Sequence, residues 1–188
     1  METSRILIQN KIRTDGDYKQ RILQCIKYIM IHRFGSHELA WFDEQKIQPT
    51  ADGVVEFFQT CAITGNKTAY PLITSLKGTI SQTRKLTDIT PHAYKCSPIA
   101  IGWAWLGDFR FSPPNDEAWR NSVDVAAKLL RAWPHLKIVG HTSVPGATRD
   151  EKKHCPGKLL DVEKFEQEAR AIALADAGKD LIDIGLTF

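Results

Sequence analysis

The chain has 188 residues, 43% of them hydrophobic and 25% charged, a size and balance that suit one domain with a substantial core. A formal charge of +3 and a pI near 8.6 are too weakly basic to imply a nucleic-acid partner. No apolar run approaches membrane-spanning length, which argues against membrane insertion.

The first residues, METSRILIQNKIRTDGDYKQ, lack the basic flank, long apolar stretch and small-residue cleavage site of a secretory signal, so a soluble protein, cytoplasmic on synthesis, is expected. In that compartment Cys25, Cys61, Cys96 and Cys155 are read as reduced thiols, either core residues or metal ligands. Neither a repeat nor a linker divides the chain, and residues 1–188 read as a single domain.

Taken in chain order, LQCIKYIMIH (23–32) is rich in apolar and β-branched residues and predicts a buried strand ending at His32, before the breaker Phe34-Gly35. DGVVEFFQTC (52–61) spaces Val54, Val55, Phe57 and Phe58 as a short helix packed on a sheet would. AYPLITSLKGTISQ reads as two strands joined by a tight turn at Lys77-Gly78, with Tyr70 at the start of the first. In SPIAIGWAWLGDF, Ile99, Ile101, Trp103 and Trp105 alternate with small residues until Gly107, which predicts a central strand. From Asn115, a suitable N-cap, acids fill the first turn and Trp119, Val123, Ala126, Leu130 and Trp133 recur at helical steps until Pro134. LKIVGH is a short strand stopping at His141, a polar loop runs from Thr142 to Lys158, and VEKFEQEARAIALADA closes as an amphipathic helix. The expected architecture is α/β (α+β), a single mixed central β-sheet flanked by helices.

Catalytic zinc commonly takes three ligands from His, Cys and carboxylates and keeps one position open. His32 and His141 each end a predicted strand, and Cys155 follows His141 by fourteen positions in a loop able to fold back. Taken singly, each reads as readily as a structural histidine or a buried thiol.

Four segments in order carry a more specific pattern: IMIH; AYPLITSLKGTISQ; HAYKCSPIAIGWAWLGDF; and IVGH followed by KHCPG, together spanning roughly residues 26–165. The chain resembles the zinc amidase family of phage amidase-type lysozymes, bacterial type-2 N-acetylmuramoyl-L-alanine amidases and animal peptidoglycan recognition proteins. The resemblance implies one catalytic Zn2+ held by His32, His141 and Cys155. It implies Tyr70 and Lys153 as catalytic residues, Lys153 standing two positions before the cysteine, and His92 in the substrate groove. The implied reaction is hydrolysis of the amide between N-acetylmuramic acid and L-alanine in peptidoglycan, by a phage-type endolysin or by an enzyme recycling wall fragments inside the cell; the sequence leaves the oligomeric state open, with a monomer the favoured expectation. Mild basicity suits that anionic polymer.

Departures from the family pattern are Arg33-Phe34 after the first ligand, Pro71 after Tyr70, and a longer loop from His92 to Gly102 that includes Pro98. They bear on substrate fit. Three rival readings follow: a non-catalytic peptidoglycan-binding module, a zinc hydrolase of a different amide, and a structural or inhibitory protein whose zinc is closed by a fourth ligand from His37, Asp150 or His154.

Overall fold

The computed structural model describes residues 8–10, 19, 21–34, 40, 42–44, 49–60, 69–148 and 154–177. Six strands, β1 (Ile8–Asn10), β2 (Tyr28–Phe34), β3 (Leu72–Thr74), β4 (Ile80–Gln82), β5 (Ala100–Leu106) and β6 (Lys137–Gly140), form one sheet in the order β1-β4-β3-β5-β2-β6. β3 and β4 pair antiparallel as the expected hairpin, whereas β3–β5, β5–β2, β2–β6 and β1–β4 pair parallel. The mixed sheet with helices is thus the predicted class. Helices α1 (Ala51–Thr60), α2 (Asp116–Ala132) and α3 (Val162–Ala175) accompany it.

The alternation of β5 explains how the sheet divides its two faces. Ile101, Trp103 and Trp105 join Ile29 and Ile31 of β2, Ile138 of β6, the apolar side of α2 and Phe165 of α3 in the main core. Phe165 meets Trp103 and Trp105 edge-on, with centroids 6.0 and 5.2 Å apart, an arrangement that adds to the area term of burial. A polar thread crosses this core where the Trp103 indole donates to Thr74 Oγ1 at 2.8 Å, and Thr74 shares a 3.0 Å hydroxyl contact with Ser122 of α2. The other face carries small residues on β5 and two lesser clusters. One gathers Phe34, Leu106 and Ile73 with Val54 and Phe58 of α1, the other Met30, Ala100, Ala93, Cys96 and Ala147.

Three local readings change. Residues Leu23–Cys25 form a 3-10 turn, and the strand begins at Tyr28 and continues to Phe34. His32 is therefore inside β2, not at its end, because parallel pairing with β5 persists through Phe34↔Leu106 and Phe34 has its own apolar cluster to enter. Ser97–Ile99 is likewise a 3-10 turn with Pro98 inside it, and the central strand starts at Ala100. Strand β1, from a stretch with no strand reading, pairs with β4 over Ile8↔Ile80 to Asn10↔Gln82.

Helix α2 starts as its sequence predicts. Asn115 Oδ1 accepts from the Ala118 amide at 2.8 Å, and the Asn115 amide group also donates to Leu76 O in the β3–β4 hairpin. The cap thereby ties helix start to hairpin. Asn115→Ala is expected to cost about 1 kcal/mol or slightly more of unfolding free energy in urea titration, and an unchanged midpoint would show that the cap adds nothing.

Candidate metal centre

His32 projects from the face of β2 opposite the main core, between Met30 and Phe34, where the two lesser clusters leave room. Its cross-strand partners on β5 are small: His32 faces Ala104, and Met30 faces Gly102. On the other side, Ile31 pairs with Gly140, so His141 follows β6 at the level of His32 and begins a 3-10 turn. Both predicted histidines thus reach one site, one from within a strand and one just beyond its neighbour.

Cys155 arrives from the loop after β6. Its carbonyl accepts from the Thr142 amide at 3.1 Å and the Thr142 hydroxyl at 2.9 Å, which clips the returning loop to the turn that carries His141. Gly157, at φ +119°, lies so close to Phe109 that an added Cβ would sit 2.6 Å from its carbonyl carbon. Only glycine combines that backbone with that approach. Leu159 N then bonds Phe109 O at 2.9 Å, anchoring the loop to the segment after β5.

The result is a three-residue group in which the ligand atoms of His32, His141 and Cys155 lie within 4.8 Å of one another, and Cys155 Sγ is 3.9 Å from His32 Nδ1. Around a tetrahedral zinc with bonds of about 2.0–2.3 Å, donor atoms stand about 3.3–3.8 Å apart, so the group fits after a small contraction. Proton positions fit as well. His141 Nε2 is 2.9 Å from Ala147 O, and because a carbonyl only accepts, that nitrogen donates and Nδ1 is the lone-pair nitrogen.

Tyr70, half-buried at the entrance to β3, packs its ring 5.0 Å from that of His32 and 5.5 Å from Phe58. Thr83 holds it there by donating its hydroxyl to Tyr70 O and its amide to Pro71 O. His92 is also at the site, with Nδ1 3.0 Å from His32 Nε2 and Nε2 3.0 Å from Ala100 O. Lys153, His37 and Asp150 lie outside the described residues, and His154 is exposed. Cys25, Cys96 and Cys155 form no disulfide among the described residues.

Two features of the site had little or no sequence signal. Asp108 receives Arg33 at 2.5 Å and Arg110 at 2.5 Å, directing Arg33 away from His32. Residues 75 positions apart give no local sign of pairing. Gly102 and Ala104 were visible only as the small residues in the β5 alternation. A cavity of about 970 Å³ flanks the Cys155 loop between Gly140, Pro156 and Glu163 and Glu166 of α3; its lining includes Cys155 but neither His32 nor Tyr70.

With the geometry in place, the family follows. The model of the Amidase_2 family, N-acetylmuramoyl-L-alanine amidase, matches residues 22–158, and the chain belongs to that family. Solved structures share its fold. The Ph2119 endolysin from Thermus scotoductus MAT2119 bacteriophage Ph2119 aligns with a TM-score of 0.68 at 18% identity, covering 87% of this chain and 99% of that one. The amidase LysC from Clostridium intestinale URNW gives 0.63 at 14%, covering 87% and 97%. Peptidoglycan recognition protein-LE, solved in complex with tracheal cytotoxin, gives 0.63 at 17%, covering 85% and 92%. Among curated protein sequences none matches the chain. No described helix is long and apolar enough to cross a membrane.

Burial sets the protonation of the inner rings. It is the main force holding His32 well below its usual 6.5, aided by His141 and His92. Burial likewise lowers His92 to about 3, against a raising effect of its bond to Ala100 O and with smaller lowering effects of Arg21 and His141. Because an unfolded histidine protonates near 6.5, the unfolded chain takes up more protons than the folded one between about pH 6.5 and 3. Stability of the chelator-treated protein is therefore full above pH 6.5 and falls as pH drops through that window, by about 1.4 kcal/mol per pH unit for each extra proton. Denaturant titrations at pH 7, 6 and 5 check this, and a flat profile would mean that the rings are not carried neutral in the fold.

Proposed function

We propose that this protein is a zinc-dependent N-acetylmuramoyl-L-alanine amidase that hydrolyses the amide joining N-acetylmuramic acid to L-alanine in peptidoglycan, working as a phage-type endolysin. The observation that carries the reading is the convergence of His32, His141 and Cys155 ligand atoms within 4.8 Å. Membership of the amidase family supports the substrate class, and the neighbour solved with tracheal cytotoxin, a monomeric peptidoglycan, shows this fold serving a muropeptide.

When bound, zinc would polarise the amide carbonyl and supply a nucleophilic water near neutral pH. The chain's own residues do the rest. His32, His141 and Cys155 would provide a donor set of fitting geometry, since zinc binding takes imidazoles in their neutral form and cysteine as thiolate. Tyr70, packed against His32 and braced by Phe58, is the side chain assigned to donate a hydrogen bond to the developing oxyanion. Lys153 is assigned the same electrostatic role from its motif position before Cys155. Tyr70 is assigned to relay to the leaving amine the proton given up by the attacking water, so that its phenol is restored at the end of the step. Phe58 and Phe34 make the wall beside Tyr70 apolar, which strengthens such interactions by excluding water.

The test is incubation with purified peptidoglycan, with and without a chelator, followed by mass spectrometry of the released fragments. Chelator-sensitive release of stem peptides beginning with L-alanine is expected, together with clearing of outer-membrane-permeabilised Gram-negative cells. Cys155→Ser should abolish release, and Tyr70→Phe should slow it on the order of a hundredfold while zinc remains bound. Binding without cleavage would replace the proposal by a recognition module, and neither would direct attention to another amide.

A further inference from the structure

We propose that His92 is a positioning residue that fixes the tautomer and orientation of His32, and that Gly102 and Ser97 hold His92 for that task. The proposal deepens the zinc-site reading and rests on it.

The hydrogen bonds from Ala100 O through His92 to His32 run in one direction only. Ala100 O is a pure acceptor, so the His92 nitrogen 3.0 Å away, Nε2, carries the proton. In a neutral ring Nδ1 is then the acceptor. That atom lies 3.0 Å from His32 Nε2, which must therefore donate. What remains on His32 is the lone pair of Nδ1, the atom that faces Cys155 Sγ at 3.9 Å. The opposite tautomer of His32 would set two acceptors against each other across a buried contact. The backbone carbonyl of Ala100 thus decides, through His92, which nitrogen of His32 is available to a metal. His141 is oriented more directly, by Ala147 O alone.

His92 is seated for this by Gly102 and Ser97. A Cβ at Gly102 would stand 2.7 Å from His92 Cγ and 3.0 Å from Nδ1, so the ring needs the glycine beneath it. Ser97 Oγ accepts from the amides of His92 at 3.2 Å and Ala93 at 3.0 Å and donates to Ala93 O at 2.8 Å, closing the loop around the ring. The two rings meet almost perpendicular, at 88° with centroids 5.1 Å apart. At 7% exposure and with both nitrogens engaged, His92 presents its bonds to His32 and the backbone. This places it behind His32.

The experiment combines zinc affinity, by competition with a chromophoric chelator, and the tautomer of His32 in the metal-free protein, by long-range 1H–15N spectra. Wild type should show His32 protonated on Nε2. His92→Ala should erase that preference and weaken zinc binding about 10–100-fold, and Gly102→Ala, which adds one methyl group under the ring, should weaken it in the same direction. His92→Gln, whose amide can both donate and accept, should recover part of the loss. Circular dichroism of each chelated variant establishes that it is folded. Folded His92→Ala with unchanged zinc affinity, or wild-type His32 protonated on Nδ1, would overturn the proposal. A wild-type chain that binds no zinc would instead sink the metal-site reading, and the tautomer measurement would still decide the role of His92.

Discussion

A histidine buried within a strand must find partners for both ring nitrogens, and at His32 that requirement governs the rest of the site. At 1% exposure water cannot serve, and a buried polar group left unpaired costs about 1–3 kcal/mol. One nitrogen faces His92 from the loop before β5, the other faces Cys155 from the loop after β6. Two loops far apart in sequence are therefore tied to one imidazole. The small residues Gly102 and Ala104 follow from the same demand, since the space above β5 is taken by rings from elsewhere.

The sheet makes this arrangement stable by giving its two faces different work. Toward α2 and α3 it packs Trp103, Trp105 and Phe165 with the aliphatic residues of β2 and β6, a dense layer in which side chains are held by their neighbours. The opposite face has apolar clusters only on either side of His32. His32 and His141 are thus carried by or next to strands whose positions the far face fixes. That matters for any reaction in which errors of about 1 Å in placement are costly. Arg33 shows the same division, because strand alternation turns it away from its neighbour His32 and Asp108 takes up its charge.

How much of this was legible depends on whether the signal was local. The hairpin at Lys77-Gly78, the capped helix from Asn115 and the alternation of β5 from Ile101 to Trp105 are written in neighbouring residues, and each appears where expected. The β5 alternation even encoded the location of the site, since its small residues mark the face that receives the histidines. What escaped was long-range. Strand β1 is three residues whose pairing partner lies some seventy positions away, and nothing in its own composition names that partner. The end of β2 was misplaced because Phe34-Gly35 looks like a breaker until Leu106 and α1 supply a cluster for Phe34. The meeting of His32, His141 and Cys155 was reached through the family resemblance. Its geometric cause, the level register of Ile31 with Gly140, belongs to the sheet.

The difference between a zinc site that reacts and one that only braces a fold is the number of positions the protein fills, which bears on the proposed reading of this site. Structural sites close with four protein ligands, whereas catalytic ones retain a position for water or substrate. Among the described residues the converging donors are His32, His141 and Cys155. His154, adjacent to the cysteine, is exposed instead of joining them. The bond from Thr142 to Cys155 O ties the cysteine's backbone to the turn that carries His141. A brace would gain from recruiting the His154 imidazole, and this loop turns it outward. On the side next to His32 stands Tyr70, a residue that can donate a proton but is a poor partner for zinc. Under the proposed amidase reading, these three donors and the hydroxyl-bearing side chain beside them would leave one coordination position for substrate or water.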